Sequence, residues 1–227
     1  MNLRSRVYLA AMLTCGAALI GRSLNQLHSE NWVAFVVLAL LAIVGSALKV
    51  RLPGLDATIS INFLPILLAA VMLSSAEVVM IAAASGITQC LVRARKKPHA
   101  IQVGFNAANL AISAWVANGI TTWLTQPWMP QIATIAAAVA ATIYYVCNAV
   151  LLCGLICAMQ QKPFGVIWSR TYWLSLPYYI AGSALVFASA DVALRVDWRP
   201  ALLILPMILL GHRFYSRWVS ETSAAGN

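Results

Sequence analysis

Five side chains near the middle of the chain have the types and spacing of a polar recognition site. Gln102, Asn106, Asn109 and Ser113 step by four, three and four residues, which puts all four on one face of a helix. Gln89 stands four residues before the basic cluster Arg93-Ala94-Arg95-Lys96-Lys97 and Asn106 nine residues after it. If that cluster is a turn between antiparallel helices, Gln89 and Asn106 reach similar depth. Carboxamides are neutral and offer both donors and acceptors, so the chemistry open to them is recognition. An amide facing lipid leaves those groups unmet, so the stripe must face protein or water. Two readings follow. In one, the amides tie helices together, at about 0.6–2 kcal/mol per bond. In the other, they line a polar pocket for a small ligand, with Gln89, Gln102, Asn106 and Asn109 as its binding residues.

Other chemistry-bearing residues have plainer readings. The Arg93–Lys97 cluster holds four cations in five residues. It serves as an orientation signal, or as a contact for anionic headgroups at about 1 kcal/mol per charge. Ser74-Ser75-Ala76-Glu77 fits a capping box with Ser74 as N-cap and Glu77 three residues on; the alternative for Glu77 is a ligand for an ion or substrate. Asp191 and Arg195 are four residues apart and form an interfacial pair. Cys15, Cys90, Cys147, Cys153 and Cys157 all lie in apolar stretches and read as small hydrophobes, with no metal site or disulfide framework expected. No H-E-x-x-H, G-x-S-x-G or P-loop occurs. His28, His99 and His212 share no motif. No ionisable residue lies in the middle of a hydrophobic segment, which argues against ion-coupled transport. The expectation is a non-enzyme with no cofactor.

The elements that must position the amides are membrane helices. Of the 227 residues, 62% are hydrophobic and 9% are charged, against roughly 25% charged in a soluble domain. A span needs about 20 residues. We expect an all-α polytopic bundle of eight spans: Val7–Ile20, Trp32–Leu48, Ile59–Leu73, Ser75–Val92, Ala100–Leu124, Ile132–Met159, Leu174–Leu194 and Ala201–His212. The first, third and eighth are short, and tolerate this by local thinning of the bilayer or by partial re-entry. With both termini cytoplasmic, only Arg22, Arg195 and Arg199 of the 15 Lys and Arg lie outside, as the positive-inside rule asks. That orientation, rather than a nucleic-acid partner, accounts for the net charge of +9. Residues 1–219 form one membrane domain, and residues 220–227 a short disordered cytoplasmic tail. Arg4 and Arg6 before an apolar run imitate a signal peptide, but an uncleaved first span is expected.

Three local features refine this map. Ala10, Thr14 and Ala18 form a small-residue ladder, for close packing within the bundle or for a docking partner. Pro53-Gly54 marks a turn, and Thr58, Ser60 and Asn62 alternate with Ile59, Ile61 and Phe63. This predicts a short extended stretch leading into the third span. Pro65 then falls in the first turns of that span, where a missing N–H costs little.

The central stretch also carries a family pattern. Leu52-Pro53-Gly54, Ile59-Ser60-Ile61-Asn62-Phe63, Glu77, Gln89, the basic cluster, Gln102-Val103 and Phe105-Asn106-x-Ala108-Asn109 together resemble the integral-membrane sensor regions that precede GGDEF or HD-GYP domains in bacterial signalling proteins. The resemblance runs over Leu48–Ala114. It implies a sensory module upstream of cyclic di-GMP turnover. Gly211-His212-Arg213-Phe214-Tyr215-Ser216-Arg217 is similar to the hand-over from such a region to a cytoplasmic helix, but only eight residues follow Val219. The expectation is therefore a stand-alone sensory or small-ligand-binding module without its own catalytic domain. It would work with membrane lipids and with a signalling partner in the membrane or cytoplasm. The same Leu-Pro-Gly to Ile-Ser-Ile-Asn-Phe-Leu-Pro stretch also resembles substrate-binding subunits of energy-coupling factor importers. That implies the alternative, a substrate-binding or permease subunit of a transporter.

Overall fold

The computed structural model describes residues 2–51, 58–92, 98–124, 133–169, 179, 180, 183 and 213. Those residues form a helical bundle with one small ribbon. The order is α1 (Leu3–Asn25), α2 (Trp32–Ala47), β1 (Lys49–Arg51), β2 (Thr58–Ser60), α3 (Phe63–Met72), α4 (Ser75–Leu91), α5 (Ala100–Leu124) and α6 (Ala133–Gln160). A further short helix covers 164–169. Three helical segments are long and apolar enough to cross a membrane: α1, α5, and Ala138–Gln160 within α6.

Side chains fix where several of these elements start. The Asn2 side chain accepts from Ser5 N at 2.8 Å and starts α1. The Asn2 amide nitrogen also donates to Ala158 O at 2.8 Å, tying the start of α1 to the end of α6. The Asn31 side chain accepts from Ala34 N at 3.0 Å and starts α2. Ser74 and Glu77 form the capping box that their spacing predicts, opening α4.

The map of expected spans holds for some elements and shifts for others. The helix over Ala100–Leu124 has the expected bounds, and α6 matches the expected sixth span to within one residue at each end. The first helix is longer than expected, 23 residues instead of a short span, because its amphipathic ends continue the helix beyond the apolar centre. The third element is shorter. Its helix has 10 residues, about 15 Å at a rise of about 1.5 Å per residue. That is half the roughly 30 Å of a hydrocarbon core. The chain ahead of it is extended, as the alternation of Thr58 to Phe63 predicts: β1 and β2 pair antiparallel with Lys49 opposite Ser60 and Arg51 opposite Thr58. The expected eighth span, the expected seventh apart from Tyr179, Ile180 and Ser183, the Asp191–Arg195 pair and the basic cluster lie outside the described residues.

The shortest helix lies deepest. Every residue from Ser60 to Ala70 is buried. Around α3 pack Leu38 and Ala42 of α2, Val78 and Ile81 of α4, Leu110 and Ala114 of α5, and Tyr144 of α6. Non-helical backbone at membrane depth is tolerated where protein surrounds it, and here it is surrounded. Two glycines set the spacing around α5. A Cβ on Gly16 of α1 would fall 2.3 Å from Ala108 Cβ, and one on Gly86 of α4 would fall 2.9 Å from Ala107 Cα. Only glycine permits these approaches. The ladder Ala10, Thr14, Ala18 does not take part in them. All three residues are exposed, and α1 packs instead through Ser5, Leu9, Met12 and Gly16. Among the described residues, the ladder is therefore not a packing face.

Candidate functional site

The site is built where the chain enters α3. Asn62 is the last residue before that helix, and it has helical φ and ψ but no capping bond of its own. Its side chain is free to face sideways. The oxygen accepts from Ser60 Oγ at 2.8 Å. The nitrogen donates to Ser85 Oγ of α4 at 2.7 Å and to Gln89 Oε1 at 3.5 Å. Gln89 Oε1 also accepts from Asn106 Nδ2 of α5 at 3.3 Å, and the same nitrogen donates to Gly86 O at 3.0 Å. On the α2 side, the hydroxyls of Ser46 and Ser85 meet at 2.7 Å, and Ser46 Oγ donates to Ala42 O at 2.8 Å. Six polar side chains from α2, the β2–α3 junction, α4 and α5 thus form one connected network. Gly45 makes room for it: a Cβ there would lie 3.1 Å from Asn62 N and Cα.

The sequence pattern places Gln89 and Asn106 at similar depth, and the structure brings them into direct contact. It divides the rest of the amide stripe. Gln102 is exposed, and its side chain has no hydrogen-bond partner among the described residues. Asn109 turns to α6 and donates to Asn148 Oδ1 at 2.5 Å, while Asn148 Nδ2 meets Tyr179 OH at 3.5 Å. Ser113 bonds back to Asn109 O at 2.8 Å. Asn109 Oδ1 is buried with no partner. The Tyr179 ring packs against Phe63 and Tyr145, with centroids 4.4 and 4.5 Å away. The stripe therefore serves two clusters, one toward α4 and one toward α6, because α5 runs between those helices.

Residues outside the stripe matter as much. Ser46, Ser85 and Asn62 complete the first cluster and Asn148 the second. Their signal in the sequence is weak, since isolated serines and asparagines in apolar helices are common. The usable hint for Asn62 is its place just before Pro65, where a helix starts. Asn118, one turn beyond Ala114 on α5, donates to Ala70 O and Leu73 O at 3.0 and 3.1 Å. It satisfies carbonyls that the end of α3 leaves open. At the far end of α4, Glu77 is buried. One carboxylate oxygen accepts from Ser29 Oγ; the other accepts from Ser74 N at 2.9 Å and Ser74 Oγ at 2.7 Å. Glu77 is thus a cap that also ties the α1–α2 connection to α4.

The first network holds only hydroxyls and carboxamides. Such groups recognise donors and acceptors and do not exchange protons near neutral pH. Among the described residues, no group of three or more His, Cys, Asp or Glu could hold a metal ion. The model of the MASE9 family, a family of membrane-associated sensor domains, matches residues 25–186. That is well over half of the chain.

The chain belongs to the MASE9 family.

No curated protein and no solved structure matches it. The MASE9 segment begins at the end of α1 and takes in α2 to α6. Both amide clusters therefore lie within the MASE9 segment, whereas most of α1 precedes it. Membership makes this a membrane-associated sensory domain, in keeping with the three helices that are long and apolar enough to cross a membrane.

Proposed function

We propose that this MASE9 domain is the ligand-binding sensory part of a signalling system in the bacterial inner membrane. In this reading the chain crosses the membrane eight times with both termini in the cytoplasm. Gln89 and Asn106 contact a small molecule, with Gln102 and Asn109 on the same helix as flanking residues. The module does no chemistry itself and passes its state to a cyclic di-GMP output, carried on the same polypeptide or on a partner. One observation carries the reading: the polar network is built at a buried junction between extended chain and helix, at Asn62. Six side chains tie α2, the β2–α3 junction and α5 to α4, and Asn62 stands where extended chain turns into helix. Occupancy beside it shifts α4 and α5 relative to α3, which is a movement an output domain can read.

The test is native mass spectrometry of the full chain purified in lipid nanodiscs, paired with cellular cyclic di-GMP. The expected result is a bound small molecule that Asn106→Ala and Gln89→Ala abolish, with a matching change in cyclic di-GMP. If neither variant alters bound mass or second messenger, and both merely unfold at lower temperature, the network is structural.

The short helix α3 with extended chain ahead of it supports a second reading, a substrate-binding or permease subunit of a transporter. Transporter sites are characteristically built on discontinuous helices. Uptake of the bound compound into proteoliposomes containing the energising partner distinguishes it, since a sensor binds without uptake.

A further inference from the structure

The direction in which each amide points shows what the first network leaves over. Gly86 offers only a carbonyl oxygen, so the Asn106 atom 3.0 Å from it is the nitrogen. That nitrogen meets Gln89 at 3.3 Å, so Gln89 turns its oxygen there. The same oxygen faces Asn62, which turns its nitrogen toward Gln89 and its oxygen toward Ser60. A backbone group thus fixes the orientation of every amide in turn, and none is free to flip. Two groups remain over: both hydrogens of Gln89 Nε2, and Asn106 Oδ1. Neither has a partner among the described residues. Neither is sealed in, since both side chains are half-buried and the one buried orphan atom is Asn109 Oδ1.

The leftover pair is one donor and one acceptor, on amides already bonded to each other. Apolar lipid satisfies neither. A cation suits Asn106 Oδ1 and is repelled by the Gln89 hydrogens; an anion does the reverse. The network contains no ionised side chain to balance either charge. Water satisfies each group singly; an uncharged molecule with an acceptor and a donor on adjacent atoms satisfies both together and displaces it. We propose that Gln89 Nε2 and Asn106 Oδ1 form a two-point docking edge for a neutral lactam, cyclic urea or imide. This rests on the ligand-binding reading above and specifies its ligand class.

The experiment uses the full chain in lipid nanodiscs, with 2-pyridone, N-methyl-2-pyridone and 2-aminopyridinium as probes and saturation-transfer NMR as readout. In the wild type, 2-pyridone binds, and blocking its N–H with methyl weakens binding about tenfold, the loss of one good hydrogen bond. Gln89→Glu keeps the oxygen that Asn62 and Asn106 donate to, but replaces the free donor by an acceptor. That variant loses 2-pyridone and gains 2-aminopyridinium, which presents two donors. Equal binding of the methylated and unmethylated lactams overturns the proposal, as does no 2-pyridone binding at millimolar concentration. So does a wild-type dimer that Gln89→Glu splits, which assigns the edge to a second copy of the chain. If Gln89→Glu does not fold, the comparison of the two lactams on the wild type decides alone. A co-purifying small molecule seen while 2-pyridone fails removes this edge and leaves the sensory reading standing; absence of both removes both.

Discussion

At the residue scale, the decisive side chain is Asn62. It is buried, and its amide joins Ser60, Ser85 and Gln89. Asn62→Ala removes two donors and an acceptor at once and leaves Ser60 without its acceptor. The expected cost is about 1–3 kcal/mol, the usual penalty for buried polar groups left unmet, read as a lower midpoint of thermal unfolding in detergent micelles. Gln89→Glu keeps the shared acceptor oxygen but places an unpaired carboxylate on a half-buried helix face, so its midpoint also falls. Glu77 behaves differently. Its carboxylate serves Ser29 and Ser74 together, so Glu77→Ala removes a capping box and a tertiary contact. Loss of the cap alone costs about 1 kcal/mol, and the drop should exceed that. Ser29→Ala measures the tertiary part separately.

At the element scale, the short α3 is the unusual piece. Ten residues cannot cross a bilayer as a helix, yet every one of its first eight is buried. Asn118 holds its open end through Ala70 O and Leu73 O. In Asn118→Leu these carbonyls lose their partner, and hydrogen exchange in the α3–α4 connection around Leu73 and Ser74 should speed up, while α1 exchanges as before. The α4–α5 contact makes a second expectation. A Cβ on Gly86 would lie 2.8 Å from Asn106 O and 2.9 Å from Ala107 Cα, both backbone atoms that cannot swing aside. Gly86→Ala therefore forces the helices apart and stretches the Asn106–Gly86 bond. About 1–3 kcal/mol of destabilisation is expected from overpacking, together with the loss of any ligand held by Gln89 and Asn106.

At the scale of the whole molecule, the placement of charge bears on how the bundle sits in the membrane. The distribution of Lys and Arg predicts that a reporter fused at Lys97 reads cytoplasmic and one at Gln126 reads periplasmic. A periplasmic signal at Lys97 would reverse the orientation and place the Gln89–Asn106 edge near the outer surface. The face of α2 bearing Val33, Val36, Leu40 and Val44 is exposed and apolar, as a lipid-facing helix surface should be.

Much of this was legible in the sequence, for identifiable reasons. The membrane class follows from a scarcity of charge that leaves too little to cover a soluble surface. The Ser74–Glu77 cap and the bounds of α5 are local, set by residues within a turn of each other, and local rules reach them. The extended lead into α3 is also local: alternation and Pro65 mark it. The meeting of Gln89 and Asn106 was accessible because a basic cluster gave both residues a common reference depth. Beyond that, tertiary structure decided. Helical spacing put Asn106 and Asn109 on one stripe but could not say that α5 lies between α4 and α6, so that one amide turns to Gln89 and the other to Asn148. Nor could it show that Gln102, on the same stripe, is left outside both clusters. The ladder Ala10, Thr14, Ala18 had the composition of a packing face, yet Gly16 took that role, because one close approach to Ala108 fixes the rotation of the whole helix. Hydrogen-bonded partners between helices depend on rotation and separation, which small residues far apart in the chain set together. The sequence by itself determined that this chain lives in a membrane, where α4 is capped and that it carries a stripe of amides that must face protein or water. Which amides meet, and which two atoms are left over, was decided only when Gly45 and Gly86 let four elements close around Asn62.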